Sequence, residues 1–186
     1  MTTLLFKTAL GPFTVQLEDS RAPITVKNFV RYVNEGAFTE GAFERVVTPE
    51  TSGNDLLPGE RPEEGEGLPN GDVPINVVQG GPAPGSKEHE PIRIETTQDT
   101  GLHHVDGTLS MGRLGPDTAT TEFFFCLGDQ PQLDFGGDRN PDGQGFAAFG
   151  QVTSGMDVVR AIHAAPSVGQ DLVPFVRIDS VVVVDA

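Results

Sequence analysis

Only two stretches of this chain carry a helical repeat, and both are short. Val26, Phe29, Val30 and Val33 fall at i, i+3, i+4 and i+7, which makes one face of a helix apolar. Pro23 suits the first turn of that helix and Gly36 its stop. Met156, Val159 and Ile162 predict a second helix over about 155–164, with Ser154 as its N-cap. The other ordered stretches are strand-sized. Residues 3–8 and 13–18 read as two strands joined through Leu10-Gly11-Pro12, because Phe13, Val15 and Leu17 alternate with Thr14, Gln16 and Glu18. Six β-like runs follow at 43–47, 75–79, 92–96, 107–113, 122–127 and 146–152, and the β-branched run Val176–Val184 closes the chain. So many strands with two helices predict a mainly β protein, a closed barrel rather than a parallel α/β sheet.

At 186 residues the expected organisation is one domain over 1–186, interrupted by two inserts. Residues 48–74 are rich in Pro, Gly and Glu and carry a formal charge of −6 from seven acids and one Arg, the composition of a long polar loop. Residues 135–145, FGGDRNPDGQG, are turn chemistry throughout. The net charge of −15 argues against nucleic acid, because phosphate binding relies on clustered Lys and Arg. No run approaches the roughly 20 apolar residues of a membrane helix, and no signal peptide is evident. A cytoplasmic location is expected, or a periplasmic one where a signal has been removed. Cys126, the only cysteine, lies in Phe-Phe-Phe-Cys-Leu and is expected to be an inert buried thiol.

Other chemistries find little support. Asp138, Asn140, Asp142 and Gly143 match the first half of a calcium loop, but Phe149 stands at the twelfth position and Pro141 lies inside, so a turn is expected there. His103 and His104 are adjacent while His89 and His163 are distant, which is not the spacing of a zinc site. Ser110 lacks the G-x-S-x-G setting of a hydrolase nucleophile, and there is no nucleotide-binding glycine motif. Neither a metal nor a cofactor is expected.

Five blocks, in order along the chain, carry a resemblance: APITVKNFVRYVNEGAF, AFERVV, VVQGG, GTLSMGRLGPDTATTEFFFCLGDQPQLD and FAAFGQVTSGMDVVRAI. Together they resemble the cyclophilin-type peptidyl-prolyl cis-trans isomerases. The resemblance implies a closed eight-stranded antiparallel barrel capped by two α-helices, with an open groove on its outer face. Carried across by position, the catalytic set would be Arg45, Gln79 and Phe124. Substrate would be bound by Val77, Met111, Gly112, Arg113, Glu122, Gln132, Leu133 and Phe146. The implied partners are proline-containing peptides and unfolded or nascent proteins, and a monomer is expected.

The chemistry explains why such residues would be needed. The X–Pro bond isomerises slowly because twisting it breaks amide resonance, with a barrier of roughly 20 kcal/mol. No bond is made or broken, so the site needs only to bind the twisted amide better than either planar form. The imide nitrogen gains lone-pair density as resonance is lost, and a fixed guanidinium such as Arg45 can donate to it. The plainer alternative for Arg45 is a surface strand residue. Phe43, two residues earlier, should share its face, although in the family it belongs to the barrel packing. Phe124, Met111 and Leu133 would make the base and walls of the proline slot, with Phe146 beside them. Gln79 would hold Arg45 and bond the substrate backbone.

The pattern is broken at several positions. Asn76 and Val77 stand where the family places Phe and Met, Glu122 replaces Gln, Arg113 replaces a common Asn, and Gln132 replaces a Trp found in some relatives. Glu122 would put a carboxylate within reach of Arg45, holding the fork while competing for its donors. These departures define the competing function, a non-catalytic proline-peptide-binding or chaperone-like module on the same barrel.

Overall fold

A computed structural model describes residues 1–52 and 73–184. Most of the 48–74 insert therefore lies outside the described residues. The strands are β1 (Thr3–Thr8), β2 (Gly11–Leu17), β3 (Gly41–Val47), β4 (Val77–Gly81), β5 (Thr108–Met111), β6 (Phe123–Cys126), β7 (Ala148–Ser154), β8 (Ser167–Val168) and β9 (Asp171–Val184). The helices are α1 (Pro23–Asn34), the single turn α2 (Thr97–Thr100) and α3 (Met156–His163). Every pairing is antiparallel, in the order β1-β2-β7-β5-β6-β4-β3-β9, and β1 also pairs with β9 to close an eight-stranded barrel. β8 adds only a two-residue hairpin partner to β9.

Phenylalanines fill the barrel. Phe6 stacks on Phe13 at 4.8 Å, and Phe123 meets Phe6, Phe29, Phe38, Phe43 and Phe125 edge-on or nearly so. Such offset and T-shaped contacts match ring quadrupoles while burying large apolar area. Val26, Phe29 and Val33 bury the apolar face of α1 in this core, and Val159 and Ile162 do the same for α3. Gly36 ends α1 as expected. Its positive φ lets its N–H reach Val33 O while Ala37 N–H reaches Tyr32 O.

Four local expectations need correction. The run 92–96 is not a strand: only Ile92 bridges to Ala119, and Thr96 instead caps α2 through a reciprocal bond with Asp99. Ser154 does not cap α3, because β7 continues through it, and Gly155 at φ 81° is the cap residue. A Cβ at Gly155 would lie 2.7 Å from Phe13 Cβ, so the backbone approach itself requires glycine. Gly11 already belongs to β2, which shortens the first connection. Finally, Phe43 and Arg45 do not share a face. A β-bulge between them sets Phe43 opposite Gly80 and Arg45 opposite Gln79, so the extra residue reverses the alternation. Phe43 is fully buried in the barrel core, while Arg45 turns outward and is half-buried.

Candidate active-site groove

Strand register assembles the outer face. Arg45 opposes Gln79, Gln79 opposes Phe124, Phe124 opposes Ser110, and Ser110 opposes Ala148, one continuous row across β3, β4, β6, β5 and β7. Residues opposite one another across antiparallel strands share a face. The neighbouring row, Phe43–Gly80–Phe123–Met111, therefore points into the barrel. This corrects the expectation for Met111, which is buried in the interior cluster and forms no part of the outer one.

The outer cluster consists of Val47, Ile75, Val77, Phe124, Cys126 and Leu133, with Phe146 packed against it. Phe146 meets Phe124 edge-on at 5.3 Å. The short 3-10 turn Pro131–Leu133 places Leu133 over the cluster, and Gln132 beside it donates to Pro74 O and Gln130 Oε1. Burial pushes the Cys126 thiol well above its ordinary value, as expected of an inert thiol.

Arg45 lies at the edge of this apolar surface. Its Nε donates to Gln170 Oε1 at 2.7 Å and its Nη1 to Gln79 Oε1 at 3.2 Å. Two neutral amide carbonyls thus hold two sides of the planar fork. Gln170 was not anticipated. It sits in the β8–β9 turn, donates to Thr51 O at 2.7 Å, and nothing in its local sequence announces the role.

Glu122 reaches this network indirectly. Gln79 Nε2 donates to Glu122 Oε2 at 3.4 Å, so the amide lies between carboxylate and guanidinium. Among the described residues no ion pair joins Glu122 to Arg45, which corrects the expected direct competition. Burial raises the Glu122 pKa. The Gln79 bond works against that rise, and Glu44 and Glu88 add to it. Gly112, whose N–H donates to Glu122 O at 2.8 Å, and Gly81 leave room for this side chain.

Arg113 behaves differently from the expectation that it would face the peptide. Its side chain is only 2% exposed and pairs bidentately with Asp142 at 2.9 Å in both bonds. It also donates twice to Gly145 O and lies 5.3 Å over the Phe146 ring. The guanidinium is thus spent on fastening the 135–145 turn to the slot wall. Asn140 Nδ2 also bonds Gly145 O, and no cluster among the described residues could hold a metal.

A profile of the family described as "Cyclophilin type peptidyl-prolyl cis-trans isomerase/CLD" matches residues 3–183. The chain belongs to the cyclophilin family. Peptidyl-prolyl cis-trans isomerase B of Escherichia coli K12 is 34% identical over 161 residues, covering 84% of this chain and 81% of its own. Peptidyl-prolyl cis-trans isomerase A of Dickeya dadantii is 32% identical over 164 residues, 87% of this chain and 70% of the relative. A Cryptosporidium parvum cyclophilin solved in the presence of the dipeptide Ala-Pro superposes with a TM-score of 0.73 at 18% identity, covering 99% of each chain, a likeness of fold. This cyclophilin is a peptidyl-prolyl cis-trans isomerase. No helix among its described residues is long and apolar enough to cross a membrane.

Proposed function

We propose that the outer row is the isomerase site, acting on exposed X–Pro bonds in peptides and in unfolded or nascent chains, with Arg45 as the catalytic donor. Phe124, Leu133, Val77 and Phe146 receive the proline ring, and desolvating that ring anchors the bond to be twisted. Arg45 then donates to the imide nitrogen as its lone pair localises, or polarises the adjoining carbonyl. Each 1.36 kcal/mol of preference for the twisted amide gives about tenfold in rate. Gln79 and Gln170 keep the fork aimed, so little reorganisation is required at the moment of twisting. Gly112, Glu122 and Gln132 border the slot and contact the flanking peptide.

The observation that supports this reading best is the fixed guanidinium, held by two amide oxygens one strand away from the apolar slot. Neither metal nor cofactor is required, because no electrons or groups are transferred. The protein acts as a monomer in the cytoplasm, where its single buried thiol is stable. A short X–Pro peptide tests the activity directly: the protein should accelerate cis-trans exchange, whereas binding without acceleration would favour a non-catalytic peptide-binding module.

A further inference from the structure

Behind the proline slot lies a hydrogen-bonded chain that the proposed reaction does not use. His104, whose side chain is wholly buried, stands with its ring 6.0 Å from that of Phe124 and only 14° from parallel. Both of its nitrogens are engaged, Nδ1 with Asp134 Oδ1 at 2.6 Å and Nε2 with Ser110 Oγ at 2.9 Å. The same carboxylate accepts from His104 N at 3.0 Å and meets His103 Nδ1 at 2.8 Å. An ionised Asp134 can only accept, so the neutral ring carries its proton on Nδ1, and Nε2 accepts from the Ser110 hydroxyl. Ser, His and Asp occur here in the relay order of a hydrolase, yet Ser110 and His104 are sealed beneath Phe124 and no carbonyl can reach them.

The position of the chain gives it another use. Ser110 is the direct cross-strand partner of Phe124, and Asp134 immediately follows Leu133, so the network touches the slot on two sides. We infer that His104 is a positioning residue for the isomerase site: fixed by Asp134 and Ser110, it sets the attitude of the Phe124 ring and makes proline binding depend on its own protonation. This inference rests on the outer row being the isomerase site. Protonation places a second N–H on the ring, and the Ser110 hydroxyl must then turn from donor to acceptor in the enclosed space beside Phe124.

The titratable groups that act on the ring are Asp134, the residue that ends the 3-10 turn, and His103 on its own segment. Burial lowers the His104 pKa, and the Asp134 bond opposes that shift. Burial works to raise Asp134, but the two histidine bonds overcome it and hold the carboxyl below its ordinary value. The switch should therefore act below the ordinary histidine value of 6.5.

The test follows the whole chain by NMR, using labelled Phe rings and histidine imidazoles, alongside exchange rates on an Ala-Pro peptide. The Phe124 ring resonances should titrate with the His104 midpoint. His104→Phe, which keeps a flat ring but has no titrating proton and neither side-chain bond, should lose the acid-side fall in kcat/KM. His104→Ala should be about tenfold poorer, mainly through KM. Phe124 resonances that ignore the His104 titration, or His104→Phe retaining the wild-type pH profile, would overturn the inference. Absence of turnover in the wild type would count against the isomerase reading instead, while the shared titration would still decide this one. Should His104→Ala fail to fold, the titration and His104→Phe suffice.

Discussion

Replacing Asp142 with Ala should loosen the slot wall without touching the slot. Asp142 accepts two bonds at 2.9 Å from a guanidinium that is almost fully buried, while its own side chain is 30% exposed. A hydrogen bond to a charged group contributes about 1.5–3 kcal/mol, and leaving a buried charge unpaired costs more than that. Two features reduce the loss here. Solvent reaches the carboxylate, and Arg113 keeps both bonds to Gly145 O. About 2 kcal/mol is therefore expected, or a fall in Tm of roughly 4–8 °C for a domain of this size. The pH dependence gives a sharper check. The Arg113 bonds hold the Asp142 carboxyl below its ordinary 3.8, so the pair's contribution is complete above that value and is lost as pH falls through the folded-state pKa. Thermal melts of both proteins should show a difference at neutral pH that narrows on acidification below about 3.8. Peptide exchange should slow as well, because the guanidinium seated over the Phe146 ring is held by fewer bonds. Equal melting at neutral pH, or a difference that persists unchanged into acid, would show that the pair does not fasten the wall.

Glu122→Gln should be more stable than wild type at neutral pH and equal to it near pH 4. Burial raises the Glu122 pKa above its ordinary 4.5, so the stability tied to the protonated form is lost as pH rises through that range. Its kcat/KM should match or exceed that of wild type, since a Gln can still accept from Gln79; a lower Tm and slower exchange would mean that the carboxylate orients the amide productively. Replacing residues 53–72 by a short Gly/Ser link should leave cooperative unfolding intact. Ser52 already bonds Ile75 N and O, so the segment's ends are close together, and loop closure changes by only about 0.6 kcal/mol for each halving of length. Circular dichroism and melting would report the outcome, and non-cooperative unfolding would show the segment to be structural.

The barrel was legible because period-2 alternation and turn residues are local signals. α1 was legible for a similar reason, with its apolar face and Gly36 stop both written into a dozen residues. What local pattern could not show was any feature fixed by contact between distant strands. The bulge in β3 that separates Phe43 from Arg45 shows only in its pairing with β4 and β9. Met111 was read as slot wall because it lies within a matching motif, yet register turns it inward beside Phe123. Gln170 reaches Arg45 across 125 residues of sequence, and Asp134 reaches His104 across 30. The pairing of Arg113 with Asp142 was hidden because Asp142 lay in a turn whose acids read as solvated polar residues.

Arg45 carries the central claim, and comparing Arg45→Ala with Arg45→Lys on one short X–Pro peptide tests it most directly. Both variants should keep the wild-type circular dichroism spectrum, since Arg45 lies on the outer face. Exchange catalysed by Arg45→Ala should fall by at least about tenfold, and Arg45→Lys should recover little of it, because an ammonium cannot keep the fork's direction between Gln79 and Gln170. Wild-type rates in Arg45→Ala would remove the guanidinium from the mechanism, and full activity in Arg45→Lys would show that charge alone, without the held geometry, twists the bond.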